Sequence, residues 1–285
     1  MYIFKRIIRI VSYVMLTFCL VGLIFCAVSS DKLDMVSYEF KTSKNIDPFT
    51  CLVISDYHHR TLNFSNGNMI DILKEQGSVD YIFYTGDLID SHTNSLDDVN
   101  EIFKAGNSIS KHSYFVTGNH EQYAPHWQGL QDKMHENGIT YIKDDHSDIN
   151  EHFHIYGLED ARFKVGGGAS FKAREDASKK SLDSMTEHFN ENDFNILLNH
   201  RPENFKMISD NYKFDLMISG NTHGGQFKIG NWIPSSIALE EGEYIGGTYH
   251  RNNTDLVVSR GLGYSAMMPL RVNCNPEIVK ITVSK

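Results

Sequence analysis

Polar motifs made of Asp, Asn, His and Gly follow five short apolar runs of this chain, at the point where each run ends. In chain order they are DYH at 56–58 after CLVIS, GD at 86–87 after YIFYT, GNHE at 118–121 after YFVT, NH at 199–200 after ILL, and GNTH at 220–223 after LMIS. Carboxylate, amide and imidazole groups suit Mn, Fe or Zn better than a metal held by soft thiolates. The five motifs together predict a metal site. Another Asp-x-His, at 144–146, lies in the polar run KDDHSD, and we expect an exposed loop there.

The apolar runs before the motifs are short and closed by polar residues, which is typical of buried strands in a largely parallel sheet. Ligands of open α/β sheets bind beyond the carboxyl ends of the strands, where all five motifs stand. Glycines next to Asp87, Asn119 and His223 would let the backbone turn tightly beside a ligand. The sequence therefore predicts one sheet edge at which these polar side chains meet.

Other segments predict the elements that build this edge. Residues 36–40 alternate between apolar and polar types, as in a half-buried first strand, and helical spacing occurs at 69–75, 99–105 and 185–189. From Trp232 onward the segments EYIGGTYH, TDLVVS and EIVKITV predict strands. We therefore expect a layered α/β protein with an antiparallel contribution near its C-terminus.

Composition excludes several classes of protein. The chain has 285 residues, is 41% hydrophobic and 22% charged, and has 4 Cys, so it is not a disordered, collagen-like or disulfide-scaffold protein. All 36 Asp and Glu residues follow residue 30, which leaves an acidic body. Such a body argues against a nucleic-acid partner, and phosphate chemistry in it would need a local positive centre such as a bound metal. The length of residues 31–285 suits one α/β domain or a large two-sheet sandwich.

The N-terminus predicts a separate element. Residues 10–28 carry no formal charge and, as a helix, would be about as long as a bilayer's hydrocarbon core is thick. The basic residues before this run are Lys5, Arg6 and Arg9. By the positive-inside rule we expect residues 1–30 to form a cytoplasmic tail and transmembrane anchor, and residues 31–285 to lie outside the cytoplasm. The alternative is a signal peptide cleaved near Ala27, which would give a secreted domain.

The order of the motifs resembles the metallophosphoesterase, or calcineurin-like phosphoesterase, superfamily, whose pattern is DxH, GD, GNH, a lone His and GHxH. The segments LLNHRPENF, SGNTHGGQF and VVSRGLGYSAMMPLRVNCNPEI are similar to a bacterial, membrane-anchored branch of it. This resemblance spans residues 36–285. It implies a four-layer αββα sandwich with two mixed β-sheets, here preceded by one N-terminal transmembrane helix, and a centre of two divalent metal ions (Mn, Fe or Zn) at one edge.

The resemblance also implies roles for the motif residues. The first metal would be held by Asp56, His58 and His223, Asp87 would bridge both metals, Asn119 and His200 would hold the second, and His120 would be the catalytic histidine. Two cations about 3.5–4 Å apart need an anionic bridge, and a hydroxide between them would attack phosphorus, because metal binding lowers the pKa of water. The catalytic histidine would protonate or hydrogen-bond the departing oxygen.

One position departs from the pattern of the superfamily. Asn221 stands where GHxH has its first histidine, a ligand of the second metal. If the amide oxygen of Asn221 still ligates, the second site should be weaker or favour Mn or Mg over Zn, because this oxygen is a weaker donor than imidazole for late transition metals. The alternative is that Asn221 has left the coordination sphere and water takes its place.

We expect a metal-dependent phosphoesterase that cleaves phosphodiester or pyrophosphate bonds at the cell envelope, with lipid-linked substrates included. The alternatives are a phosphomonoesterase of the same fold, and a metal-binding envelope protein that has lost catalysis, for which Asn221 is the only support. Arg201 could contact a substrate phosphate or form a structural salt bridge. Glu121 is interpreted as the acid at a helix N-terminus.

Overall fold

The computed structural model describes residues 2–28, 31–58, 60–187, 189–228, 233, 244–264 and 270–285, with the side chains of residues 4–22 in the first helix. The described helices are α1 (Tyr2–Val28), α2 (Met69–Lys74), α3 (Asp97–Ile109), α4 (Trp127–Glu136), α5 (Arg162–Val165), α6 (Phe171–Met185) and α7 (Phe205–Asn211). The described strands are β1 (Asp34–Lys41), β2 (Phe49–Ile54), β3 (Asn63–Phe64), β4 (Gly67–Asn68), β5 (Tyr81–Tyr84), β6 (His112–Phe115), β7 (Thr140–Tyr141), β8 (Asp145–Asn150), β9 (Phe153–Leu158), β10 (Phe194–Asn199), β11 (Leu216–Ser219), β12 (Gly247–Arg251), β13 (Thr254–Val258) and β14 (Glu277–Ser284).

Two mixed six-stranded sheets form the body of the protein. Their strand orders are β1-β14-β2-β5-β6-β7 and β12-β13-β11-β10-β9-β8, and a separate small hairpin pairs β3 with β4. The first sheet is parallel except between β14 and β2, and the second is parallel except at its edge strands β8 and β12. The predicted mixed sheets and the antiparallel C-terminal strands are therefore confirmed, although the five apolar runs are divided between two sheets.

Apolar side chains hold four layers together. Successive residues of a strand point to opposite faces, so each sheet has one face toward the other sheet and one toward helices. Val53 and Ile196 belong to the core between the two sheets. Phe103 of α3 packs on the outer face of the first sheet, and Leu182 of α6 and Ile208 of α7 pack on the outer face of the second. The layers follow the order helix, sheet, sheet, helix, and they place the carboxyl ends of β2, β5, β6, β10 and β11 at one edge.

The helix predicted at 185–189 is wrong. Helix α6 begins after Ser170, whose hydroxyl accepts a backbone N–H of the first turn, and it ends at Met185. Met185 and Phe189 both contact the core under α6 and α7, one from the end of the helix and the other from the turn after it. Burial of both side chains in one core, and not a shared helix, explains their apolar character.

The exposed loop predicted at 144–146 is also wrong, because Asp145 and His146 begin strand β8. The backbone of β8 pairs with β9 in antiparallel register, while most of its side chains face solvent. Charged, exposed side chains are common on edge strands, where they discourage pairing with another chain. Polar composition alone therefore did not reveal this strand.

The predicted transmembrane helix is not found. Helix α1 has 27 residues, but among the described residues no helix is long and apolar enough to cross a membrane. Residues 23–28 of the predicted span lie outside the described side chains.

Candidate metal centre

The five polar motifs meet at one edge of the molecule, between the two sheets. The residues that follow strands of the first sheet are Asp56, His58, Asp87, Asn119 and His120, and those that follow strands of the second are His200, Asn221 and His223. His200 Nε2 lies 3.2 Å from Asp87 Oδ2. The backbone N–H of Asn221 lies 3.1 Å from both carboxylate oxygens of Asp56. These contacts join the two sheets, so the site is complete only when both have packed.

The backbone is strained at this edge. Five non-glycine residues have left-handed φ angles: Asp56 (52°), His58 (48°), Asp87 (54°), Asn221 (73°) and His223 (50°). Such conformations cost on the order of 1–3 kcal/mol each and cluster at functional sites. Main-chain hydrogen bonds hold two of these residues, from the Asp56 N–H to the Gly86 carbonyl (2.9 Å) and from the His58 N–H to the Asp87 carbonyl (3.2 Å).

At two positions of the motifs a carboxylate approaches the backbone so closely that only glycine fits. A Cβ atom on Gly118 would collide with the carboxylate of Asp87, and one on Gly220 would collide with that of Asp56. Each carboxylate therefore lies directly against the backbone of another strand's loop. This packing explains why the motifs GNH and GNTH begin with glycine.

Three imidazoles surround two carboxylates. His58 Nε2 lies 3.6 Å from Asp87 Oδ2 and 3.9 Å from Asp56 Oδ1. His223 Nε2 lies 3.6 Å from Asp56 Oδ1, and His200 adjoins Asp87 as described above. All five side chains are buried. Two buried negative charges need compensation, because an ionised carboxylate is poorly stabilised away from water.

Neighbouring groups orient two of the rings. Asp90 Oδ2 lies 3.5 Å from His58 Nδ1, and the Thr85 carbonyl lies 2.7 Å from His200 Nδ1. A proton held at Nδ1 leaves the lone pair of Nε2 for a ligand. The Nε2 atoms of His58 and His200 are buried and have no hydrogen-bond partner among the described residues. Such atoms suit a bound cation.

The two carboxylates differ in pKa. Burial raises the pKa of Asp56, and the charge of Asp87 adds to this effect although His200 opposes it. Burial alone would also raise the pKa of Asp87, but His200 and His120 outweigh it and hold that pKa well below its usual range. Asp87 is therefore the more readily ionised of the two carboxylates, which suits a group that would lie between two cations.

The histidines respond to the same charges. Burial disfavours the charged form of His200, but Asp87 overrides this effect and raises the pKa of His200 to about 10. For His223, burial and the positive charges of His58 and Arg271 hold the pKa well below its usual value. A positive charge is thus required beside Asp87. Because metal ligands bind in their deprotonated form, a divalent cation can supply that charge in place of the proton of His200.

His120 lies at the open side of the site. Its side chain is 36% exposed, and its Nε2 lies 4.0 Å from Asp87 Oδ2. The ring packs edge-on against His58, with 4.7 Å between the centroids. Burial lowers the pKa of His120, and Asp87 only partly offsets this effect. His120 is therefore the neutral, accessible imidazole of the group and can reach a molecule that binds at this edge.

Asn119 and Arg201 contact each other. Arg201 Nη2 donates to Asn119 Oδ1 at 3.1 Å, Arg201 Nε pairs with Asp160 at 2.5 Å, and Nη1 pairs with Glu203 at 2.9 Å. Of the two roles left open for the buried Arg201, the structure shows the salt bridge. The oxygen of Asn119 keeps a second lone pair that could bind a metal.

The Asn221 side chain is buried at the same edge. Its Nδ2 atom has no hydrogen-bond partner within the described ranges. Amide nitrogen and oxygen exchange places by a half-turn of the side chain, so Asn221 can present an oxygen at this position. Ligation of the second metal by Asn221 stays a prediction.

Glu121 has a larger role than a helix N-terminal acid. It begins a 3₁₀ turn, but its fully buried carboxylate accepts backbone N–H groups from Leu88 (2.8 Å), Asp87 (3.0 Å) and Gly118 (2.8 Å). Burial and the charge of Asp87 raise the pKa of Glu121 to about 8. Glu121 thus joins the loop after β5 to the loop after β6. Its place directly after GNH was the one available signal.

Sequence reasoning missed Arg271. Its guanidinium is fully buried and donates to the backbone carbonyls of Arg260, Gly261 and Gly263. It also donates to the His223 carbonyl at 3.2 Å, and its Nη2 lies 3.4 Å from His223 Nδ1. Arg271 fixes the backbone beneath His223 although it lies 48 positions away in the chain. No local pattern indicates that contact.

The donor atoms are close enough to share ions. In the part of the chain that the structure describes, three sets of candidate ligand atoms lie within 4.8 Å of one another: Asp56, His58 and His223; His58, Asp90 and His120; and Asp56, Asp87 and His200. The first set is the one predicted for the first metal. The third combines Asp56 with the predicted bridge and a predicted ligand of the second metal. Carboxylate and imidazole donors of this kind fit a divalent cation.

Residues 49–225 match the sequence model of a family described as calcineurin-like phosphoesterase. The chain belongs to the calcineurin-like phosphoesterase family. Membership indicates a metal-dependent hydrolase, which agrees with the donors gathered at this edge, and it confirms the superfamily inferred from the motifs. The membrane-anchored branch stays a prediction.

Several relatives share this domain. The chain is 28% identical over 236 residues to an uncharacterized metallophosphoesterase of Helicobacter pylori, covering 80% of this chain and 57% of that protein. It is 24% identical over 267 residues to the uncharacterized protein YpbG of Bacillus subtilis, covering 91% and 90%. It is 25% identical over 279 residues to a transmembrane protein with metallophosphoesterase domain of Danio rerio, covering 93% and 60%. The chain thus spans little more than half of the Helicobacter relative.

Proposed function

We propose that this chain is a dinuclear metal-dependent phosphoesterase that hydrolyses phosphodiester or pyrophosphate bonds. The observation that carries the proposal is the pair of buried carboxylates, Asp56 and Asp87, faced by the buried Nε2 atoms of His58 and His200, which form no hydrogen bond among the described residues. The strained backbone residues lie at the same edge, and so do the two glycines that allow the carboxylates to approach another loop. Both features support a functional site there. An arrangement that costs stability at so many positions is typical of a functional site.

The residues that would hold the metals are those that the resemblance to the family implies. The first ion would be held by Asp56, His58 and His223, which form one of the donor sets. Asp87 would bridge the ions, and the second would be held by His200, Asn119 and Asn221. When bound, the two ions would neutralise phosphate charge and lower the pKa of water at the site. Asp90 and the Thr85 carbonyl keep protons at Nδ1 of His58 and His200, so that Nε2 of each ring stays available.

His120 would act on the leaving group. Its exposed ring stands beside Asp87, and in the neutral state it carries one N–H that can donate to the departing oxygen. Its packing against His58 holds the ring at the edge of the site. This role requires contact with the substrate and none with the metals.

The test is hydrolysis of bis-(p-nitrophenyl) phosphate and p-nitrophenyl phosphate by the full chain with Mn, Fe or Zn added singly. We expect metal-dependent cleavage with the diester preferred, and loss of cleavage in Asp87→Asn. Asp255→Asn is the matched control, because Asp255 lies on β13 and pairs with His250 at its surface. Preference for the monoester would favour a phosphomonoesterase. Metal binding without cleavage of either compound would favour the envelope protein that has lost catalysis.

The proposal places the domain outside the cytoplasm, at the cell envelope. Its support is the basic flank of Lys5, Arg6 and Arg9 before an uncharged run, a pattern that also begins secretory signal peptides. The name of the Danio rerio relative, a transmembrane protein, points in the same direction. Protease added to intact cells should then digest residues 31–285, and complete protection until lysis would contradict this location.

A further inference from the structure

The Arg60 side chain is buried beside the loop that follows β2. Its backbone N–H donates to the Tyr57 carbonyl at 3.2 Å, and its side chain is only 3% exposed. The guanidinium stands between two aromatic rings, 4.7 Å from the ring centroid of Phe64 and 4.3 Å from that of Tyr264. A flat, weakly hydrated guanidinium can use both of its faces in such contacts. Arg60 therefore joins strand β3 to Tyr264.

The backbone before Tyr264 packs directly against Asp56, a candidate ligand of the first metal. The Gly263 N–H donates to the Asp56 carbonyl at 2.6 Å. A Cβ atom on Gly263 would collide with the Tyr57 carbonyl, which also accepts the N–H of Arg60. The stacked guanidinium and ring thus close a circle of contacts around the backbone of the first metal-binding motif.

Asp31 supplies the opposite charge for Arg60. Arg60 Nη2 forms an ion pair with Asp31, whereas Nε and Nη1 are buried and form no hydrogen bond with the residues that the structure describes. Removing one partner of a buried ion pair leaves the other charge uncompensated, which costs far more than the loss of an exposed pair. The position of the guanidinium between its two rings therefore depends on Asp31.

Asp31 belongs to a short segment that follows helix α1 and is fixed to the hairpin of β3 and β4. Its carbonyl accepts the Ser65 N–H at 2.9 Å. Leu33 exchanges two hydrogen bonds with the Asn66 side chain, at 2.8 Å and 3.0 Å. Helix α1 ends at Val28, three positions before Asp31. A partner that binds α1 and shifts this segment would therefore move the acid that pairs with the guanidinium.

We propose that Arg60 is a positioning residue for the first metal and that Asp31 sets its position, so that the segment after α1 regulates metal loading. This inference rests on the metal centre of the proposed function and adds a means of regulation to it. Arg60 would act through the backbone of the motif and not on the metal itself.

Backbone strain gives this position its leverage. Asp56 has a left-handed φ of 52°, a conformation that persists only where the surroundings enforce it. When the guanidinium leaves the two rings, Tyr264 loses its support and Asp56 can relax. A relaxed Asp56 should bind the first ion more weakly, because metal affinity depends on the groups that orient each ligand.

Calorimetric titration of the full chain with Mn²⁺ tests the inference without a substrate. Arg60→Met should weaken the first ion about 10–100-fold, the usual cost of losing a group that orients a metal ligand, and leave the second unchanged. Asp31→Asn should weaken the first ion by a smaller factor, and Asp31→Glu, which keeps the charge, should bind nearly as the wild type does. Asp31→Asn leaves every core side chain in place, so it carries the test if Arg60→Met does not fold.

Two variants serve as controls. Lys32 is exposed next to Asp31, and Arg251 forms an ion pair with Asp210 at the end of edge strand β12. Lys32→Gln changes a charge in the same segment, and Arg251→Met makes the same substitution as Arg60→Met at a surface ion pair. Both variants should bind two ions with wild-type affinity.

Double variants identify the ion that is affected. His200→Ala removes a ligand of the second ion, so Arg60→Met in that background should still weaken the ion that remains. His58→Ala removes a ligand of the first, so Arg60→Met should have no further effect there. The absorption spectrum of bound Co²⁺ is an independent readout, because Arg60→Met should change the geometry of the first site.

Equal weakening of both ions would overturn this inference. So would a lower unfolding midpoint of metal-free Arg60→Met with both affinities and the Co²⁺ spectrum unchanged, which would leave Arg60 a role in folding alone. Wild-type affinities in Asp31→Asn would overturn the regulation by this segment. The expected metal binding without hydrolysis of either p-nitrophenyl compound would overturn the proposed function only, whereas absence of Mn²⁺ binding by the wild type would overturn both.

Discussion

Replacement of Glu121 by alanine should destabilise the fold and weaken metal binding together. The carboxylate is fully buried and accepts three backbone N–H groups, from Asp87, Leu88 and Gly118. Each buried donor left without an acceptor costs about 1–3 kcal/mol. Partial relaxation and relief of the buried carboxylate reduce the sum, so we expect Glu121→Ala to lower the free energy of unfolding by about 3–5 kcal/mol.

Glu121→Gln separates the hydrogen bonds from the shape of the side chain. The glutamine oxygen can replace Oε2 and accept from Asp87 and Gly118, but its amide hydrogens would then face the N–H of Leu88. One bond is lost in place of three, so the expected loss is about 1–3 kcal/mol. The order of stability should therefore be wild type, then Gln, then Ala.

Denaturant unfolding measures the stability, and calorimetric titration with Mn²⁺ measures the metal affinity. Glu101→Ala is the control, because Glu101 is exposed on α3 and pairs only with Lys104 in the described chain, so neither quantity should change. Metal affinity should fall in the Glu121 variants because Asp87 loses the N–H contact that fixes its loop. If Glu121→Ala unfolded at the wild-type denaturant concentration and bound Mn²⁺ with wild-type affinity, the role of Glu121 in joining the two loops of the metal site would be refuted.

Three further predictions concern the candidate centre. Asp87→Asn should abolish both metal binding and turnover. His120→Ala should keep its metal content and lose about 10²–10⁴-fold in kcat. Loss of metal from the His120 variant alone would reverse these roles. Asn221→His should tighten the second ion and favour Zn, as titration with each metal would show, and equal second-site affinity in wild type, Asn221→His and Asn221→Ala would exclude Asn221 as a ligand. Arg271→Met should lower the unfolding midpoint and the affinity for the first metal, because it leaves the His223 carbonyl and three other carbonyls without their donor. A variant with wild-type melting and metal content would contradict this role.

The sequence predicted where strands end better than it predicted which side chains contact each other. Short apolar runs followed by Asp, Asn or His located the ends of β2, β5, β6, β10 and β11, because strand burial and chain reversal are local properties. Strand β8 was missed since its exposed side chains are polar, and its pairing with β9 depends on backbone hydrogen bonds. The apolar residues Met185 and Phe189 suggested a helix because two different elements bury them in one core.

The sequence by itself determined which ligand types the candidate site contains. The ligand types and the glycines beside them lie in short segments and were enough to predict a metal site, and the order of the motifs, through its resemblance to the calcineurin-like phosphoesterase superfamily, implied a metal-dependent phosphoesterase. The packing of two sheets decided the rest: that Asp87 adjoins His200, that Glu121 joins two loops, and that Arg271 contacts His223. These contacts join residues far apart in the chain, so their distances and desolvation exist only after the layers have packed.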